Sequence, residues 1–305
     1  MRLAVLGIPS SAGARAVGQE RAPLALREAG LVERLRKVGH EVVDLGDIES
    51  HRFAPDFQNV KAQNIIAVTD VCRIVAEKVE KALQDGFTPI ILGGDCTIAI
   101  GSLSGIVNVF PNTGLLYFDA DADLNTPDTT VTGILDGMVV AHIIGKGVKE
   151  LTHLAKRHPI LQEEKIVLFG LNLEGGYIDP PEIEFLKTSP IMRFTTGMIR
   201  DVGIEIAARQ ALKALNSRVD KVFVHFDVDA IDRDSMPAAD VPHPNGLTFN
   251  EALKALRMFS RSHNFLGIEV TEFNADKDRE RQLATRLTEL IASALDNLTL
   301  GGAWR

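Results

Sequence analysis

The sequence predicts an α/β fold, with a mainly parallel sheet of about eight strands and helices on both faces. Two observations lead there. Short β-rich runs alternate with amphipathic stretches from end to end, as strand–helix–strand units do. Several of the runs, notably 89–92 and 114–118, are apolar without a polar alternate, as expected of strands buried on both faces.

The candidate strands are 3–8, 41–45, 89–92, 114–119, 165–169, 191–194, 221–227 and 265–270. Amphipathic helices are expected over 23–38, 59–84, 201–215 and 250–263, with a C-terminal helix near 283–298. Thr248 and Glu251 have capping-box spacing and mark the start of one of them. No repeat, low-complexity tract or composition shift marks a linker, so one domain is expected over 1–305. The Gly/Pro-rich stretches 170–181 and 233–246 are long enough to be functional loops.

Composition narrows the partners. Hydrophobic residues make up 45% and charged residues 24% of 305, ordinary for a globular chain with a sizeable core. A net charge of −8 without Lys/Arg runs argues against nucleic acid as a partner. No run approaches the roughly 18 apolar residues of a membrane span, and residues 1–7 are too short an apolar run for a signal peptide. Only two cysteines, Cys72 and Cys96, occur, which fits a cytoplasmic compartment.

In open parallel sheets, ligands bind beyond the carboxyl ends of the strands. Four such ends carry chemistry. In Leu92-Gly93-Gly94-Asp95-Cys96-Thr97 a strand runs into two glycines, and Cys96 is either a buried filler or a metal ligand. In Asp119-Ala120-Asp121-Ala122-Asp123 three carboxylates at alternate positions crowd together, a costly arrangement in a buried place without a cation. In His225-Phe226-Asp227-Val228-Asp229 three polar groups share one side of a strand end, though His225 also reads as a core histidine. So many oxygen donors suit Mn²⁺ or Mg²⁺ better than Zn²⁺, and their number is enough for two ions. The fourth end carries Glu272, whose carboxylate can hold a cationic substrate group through paired hydrogen bonds.

These elements, in this order, resemble the ureohydrolase family of arginase, agmatinase and formimidoylglutamase. Gly18-Gln19-Glu20-Arg21-Ala22-Pro23, Asp123-Leu124-Asn125-Thr126-Pro127, Phe226-Asp227-Val228-Asp229 and Gly246-Leu247-Thr248 extend the resemblance over the chain. It implies a three-layer α/β/α sandwich (arginase/deacetylase-like) and two Mn²⁺ ions, Mg²⁺ or another divalent ion being the alternative. It also implies a small-molecule guanidino substrate attacked by a bridging hydroxide, and a trimeric or hexameric assembly. Carried over, Asp119 and Asp227 would bridge the ions, while Cys96, Asp121, Asp123 and Asp229 would complete the metal set. Glu272 would hold the guanidinium, and Asn125 and Thr132 the amino-acid end.

The chain also departs from that pattern. Cys96 and Asp121 stand where the family has metal-binding histidines, and Asp136 stands in place of its proton-shuttling histidine. An asparagine of that loop is Ile134, and the acidic substrate contact is blurred in 171–176. Extra negative charge makes bound water harder to deprotonate, unless Cys96 stays a thiol, Asp121 shares a proton or the metals differ from the usual pair; His225 could also lend a ligand or a supporting hydrogen bond. Asp136 would carry the proton if its pKa is raised. Members acting on Nω-hydroxy-L-arginine share the Cys ligand and lack the shuttle histidine. The expected activity is therefore hydrolysis of L-arginine or a modified arginine such as Nω-hydroxy-L-arginine. A non-catalytic binding or regulatory protein of the same fold is the alternative. The other histidines, His142 and His243 among them, read as core or surface residues.

Overall fold

All eight expected strands form, and they join one sheet. They are β1 (Arg2–Gly7), β2 (Glu41–Asp47), β3 (Thr88–Leu92), β4 (Thr113–Phe118), β5 (Ile166–Leu171), β6 (Met192–Thr195), β7 (Lys221–Asp227) and β8 (Phe265–Thr271). The computed structural model describes residues 1–174 and 177–296. The strand order is β2-β1-β3-β8-β7-β4-β5-β6, and the pairs among the described residues are parallel. This order makes neighbours of β3, β8, β7 and β4, the four strands whose ends carry the suspect residues.

Alternate residues of each strand feed two cores. Leu116, Phe118, Val224, Phe226 and Val270 face one side, against helices Ala22–Glu28, Leu31–Lys37, Ile204–Asn216, Phe249–Ser260 and Gln282–Ala294. Leu115, Tyr117, Phe223 and Ile91 face the other, against Ile65–Gln84, Ile98–Val109 and Val139–Ile143. Each fully buried phenylalanine contributes about 2–3 kcal/mol of transfer free energy, so this double covering holds the strand ends in place.

Helix Ile98–Val109 escaped the sequence reading because it is apolar on nearly every side and has no amphipathic period. Two expected helices are each broken in two. The 23–38 stretch divides around Gly30, and the 201–215 stretch belongs to Thr196–Val202 and Ile204–Asn216. Gly203, at φ 86°, makes the second break in a conformation costly for any side chain. The 59–84 helix begins only at Ile65, because the Asp56 carboxylate accepts the amides of Gln58, Asn59 and Asn64 and winds that segment into a turn. The C-terminal helix ends at Ala294, and residues 297–298 of the expected span lie outside the described residues. Among the described residues, no helix is long and apolar enough to cross a membrane.

Candidate metal centre and its cleft

Sheet register sets the floor of the site. Tyr117 of β4, His225 of β7 and Glu269 of β8 are side by side in the ladder, so their side chains share one face. The His225 ring stacks on Tyr117 at 4.2 Å between centroids, and its Nδ1 lies 2.8 Å from Glu269 Oε1. Behind it, Ser102 Oγ donates to Glu269 Oε2 at 2.7 Å. The other ring nitrogen, Nε2, is thereby aimed at the strand ends, 3.4 Å from Cys96 Sγ and 3.7 Å from Asp119 Oδ2.

Cys96 reaches this point because the preceding glycines let the chain turn tightly. A Cβ on Gly94 would stand 1.6 Å from the carbonyl oxygen of Ser10. The Cys96 thiol lies 3.0 Å from Asp227 Oδ2 and 3.2 Å from Thr271 Oγ1. Cys96, Asp119, His225 and Asp227 form a buried group whose donor atoms all lie within 4.8 Å of one another. Asp121, Asp229 and His243 form a second such group. There His243 Nε2 is 3.0 Å from Asp121 Oδ2 and 3.5 Å from Asp229 Oδ2. The two groups are tied together by backbone amides. Asp121 N donates to Asp119 Oδ1, Asp229 N to Asp227 Oδ1, and Ala120 N to Asp229 Oδ1.

The electrostatics demand positive charge. Burial first, then repulsion from Asp229 and Asp119, pushes Asp227 well above the usual carboxylate range, and burial likewise raises Asp119 and Asp121. Burial and Asp227 push the Cys96 thiol up. Burial lowers both imidazoles, but their carboxylate partners outweigh it. Asp119 and Glu269 lift His225 to about 9, and Asp121 and Asp229 lift His243 to about 11. Asp119 Oδ2 and Asp121 Oδ1 are buried without a hydrogen-bond partner among the described residues. Carboxylate, imidazole and thiol donors at these separations, with orphaned oxygens among them, fit divalent cations.

Beside these groups, the Cys96 amide is shared by Asp136 Oδ1 at 2.7 Å and Glu272 Oε1 at 3.1 Å. Glu272 takes a left-handed φ of 62°, a strained backbone of the kind that collects at functional sites. Burial, with Asp136 and Asp240 nearby, raises its pKa; burial, with Asp95 and Asp240, raises that of Asp136. A cleft of about 240 Å³ lies beside them, lined in part by Asp121, Asp123 and Asp136. Asn125, Thr130, Thr132, Asp179 and Arg15 also line it.

The carboxylates, Cys96, Asp136, Glu272, Asn125 and Thr132 thus converge on one region. Asp123 stands apart from both donor groups, because its Oδ2 accepts the Tyr117 hydroxyl while its backbone turns through a left-handed φ of 48°. His225 and His243 are fully buried, within the core or surface positions the sequence favoured, and both also face the acidic groups. His225 had a visible signal in its alternation with Asp227. His243 had only the length of its loop. That loop is drawn over the site by Asn172 Nδ2 donating to the Pro244 carbonyl at 2.7 Å and by an edge contact with the Tyr177 ring. The acidic substrate contact that is blurred over 171–176 has an acidic neighbour a few residues further on. Asp179 lines the cleft and accepts Asn125 Nδ2 at 2.9 Å, while residues 175–176 lie outside the described residues.

Comparison with known proteins identifies the family and the fold. The family model described as "Arginase family" matches residues 1–296. An arginase of Staphylococcus aureus (strain MRSA252) is 32% identical over 295 residues, covering 95% of each chain. Human arginase-2, mitochondrial, is 31% identical over 312 residues, covering 98% of this chain and 86% of its own. The crystal structure of arginase from Bacillus cereus superposes with a TM-score of 0.89 at 30% identity, over 98% of this chain and 99% of the other. With its sheet order, its acidic strand ends and these likenesses over nearly its whole length, this chain belongs to the arginase family of hydrolases.

Proposed function

We propose that this chain is a metal-dependent hydrolase of a guanidino amino acid, L-arginine or a modified arginine such as Nω-hydroxy-L-arginine. The observation that carries the reading is the meeting of two cation-ready donor groups with Glu272 and Asp136 beside one cleft. Two divalent ions, Mn²⁺ by family likeness, would be held there. Cys96, Asp119 and Asp227 would serve one position and Asp121 and Asp229 the other, with Asp123 at the margin. Such ions supply Lewis acidity and make water nucleophilic near neutral pH.

The remaining work falls to the chain's own side chains. The Glu272 carboxylate, held at Oε1 by the Cys96 amide and at Oε2 by Gln19 Nε2, receives the guanidinium through charge-assisted hydrogen bonds. A cation beside Glu272 offsets the repulsion from Asp136 and Asp240. Asp136 has Oδ1 occupied by the Cys96 amide, which leaves Oδ2 to carry a proton to the departing amine. At the other end, Asp179 offers an acceptor to an α-ammonium group, and Asn125, Thr130 and Thr132 offer polar contacts to a carboxylate. Arg15, the one basic side chain lining the cleft among the described residues, adds positive charge for that carboxylate.

The test is a screen for urea or hydroxyurea release by ion-loaded protein, across L-arginine, Nω-hydroxy-L-arginine, agmatine and guanidino acids. Turnover confined to the amino acids is expected. Stoichiometric ion binding without turnover of any of them would leave a binding protein and overturn the reading.

A further inference from the structure

We infer that the first ion position is a mixed thiolate, imidazole and carboxylate site, formed by Cys96 Sγ, His225 Nε2, Asp119 and Asp227 and oriented by Glu269. It rests on the proposed metal-dependent function and gives its two ion positions different chemistry. Three observations carry it. Donor atoms on a tetrahedral ion stand about 3.3–3.8 Å apart, given bond lengths of about 2.0–2.3 Å. The separations here, 3.0 Å from Cys96 to Asp227, 3.4 Å from Cys96 to His225 and 3.7 Å from His225 to Asp119, lie in or near that range.

His225 is also placed as a ligand from behind. Its Nδ1 is taken by the buried Glu269, whose second oxygen is taken by Ser102, so once an ion displaces the Nε2 proton the neutral ring presents its Nε2 lone pair to the site. A carboxylate behind an imidazole fixes both tautomer and ring orientation in metal sites. Finally, Asp119 Oδ2 is buried in the same group without a hydrogen-bond partner among the described residues.

A sulfur and a nitrogen among four donors make this position softer than one of carboxylates alone. It therefore binds Zn²⁺ or Co²⁺ in marked preference to Mn²⁺. The Asp121, Asp229 and His243 position has no sulfur and holds the harder ion.

Co²⁺ reports the difference without reference to activity. The full-length protein titrated with Co²⁺ should develop an intense near-ultraviolet thiolate-to-metal absorption saturating at one ion per chain. Cys96→Ser should lose that band while still binding an ion at the second position. Glu269→Gln, which leaves all four ligands in place, should weaken Co²⁺ and Zn²⁺ at the first position by about 10–100-fold. If Cys96→Ser does not fold, the wild-type band and the Glu269→Gln titration still decide. Bound Co²⁺ without the band, a band that survives Cys96→Ser and so belongs to Cys72, or unchanged affinity in Glu269→Gln would overturn the assignment. Failure to bind any divalent ion would instead remove the metal-dependent function and this site with it.

Discussion

Acidification should destabilise this protein through His142, a residue outside the donor groups but tied to the loop that carries Asp136. The ring lies fully buried in helix Val139–Ile143, with Nδ1 2.7 Å from the Met138 carbonyl and Nε2 3.2 Å from the Val148 amide. A carbonyl on one side and an N–H on the other select the neutral tautomer, with Nδ1 donating and Nε2 accepting. A second proton would set two donors against each other in an apolar pocket. Burial accordingly lowers the imidazole from its ordinary 6.5 to about 4, against the Met138 contact, which raises it. Between those values the unfolded chain binds the extra proton and the folded chain does not. Stability is therefore full above about pH 6.5, falls as pH drops toward 4, and loses no more to this group below that. At about 1.4 kcal/mol per tenfold in proton affinity, the loss is roughly 3 kcal/mol. The consequence should reach the site, because the Ala141 amide donates to the Asp123 carbonyl and the Asn125 amide to that of Gly137. Urea unfolding of wild type and His142→Gln at half-unit steps from pH 7 to pH 4 measures the effect. The wild-type profile should fall by about 3 kcal/mol more than the variant's. Parallel profiles would show that His142 is not held neutral and would refute the reasoning.

Three further outcomes follow from the site. Asp136→Asn should lower kcat by about 10²–10⁴-fold, the usual contribution of a positioned acid, while ion content measured by elemental analysis stays the same; an unaltered kcat removes Asp136 from proton transfer. Arg15→Ala should raise KM for the amino-acid substrate about tenfold, a loss of about 1.4 kcal/mol, yet hardly change KM for its decarboxylated amine; equal effects on both would place Arg15 away from the carboxylate. Gly94→Ala forces a methyl group against the Ser10 backbone. It should cost about 1–3 kcal/mol, read as a lower melting temperature, and an unmoved melting point would contradict the close approach.

By itself, the sequence determined the eight strands, because unbroken apolar runs between helical patterns have few other ways to bury themselves. It also singled out the strand ends that the sheet brings together, since Asp119, Asp121, Asp227 and Asp229 alternate at the ends of such runs. Tertiary structure decided how those ends combine. Only the sheet order brings β3, β8, β7 and β4 together, and only the register sets Glu269 behind His225. Linear spacing contains neither, because parallel neighbours are joined through long crossovers that can connect any two strands. His243 is the clearest case. Nothing around it in sequence marks a ligand, and it meets Asp121 because a long loop folds back over the strand ends. Asp123 is the converse, a residue with the same spacing whose Oδ2 also accepts the Tyr117 hydroxyl. Periodicity tells which face a side chain takes; what it meets there depends on the packing of elements far apart in the chain.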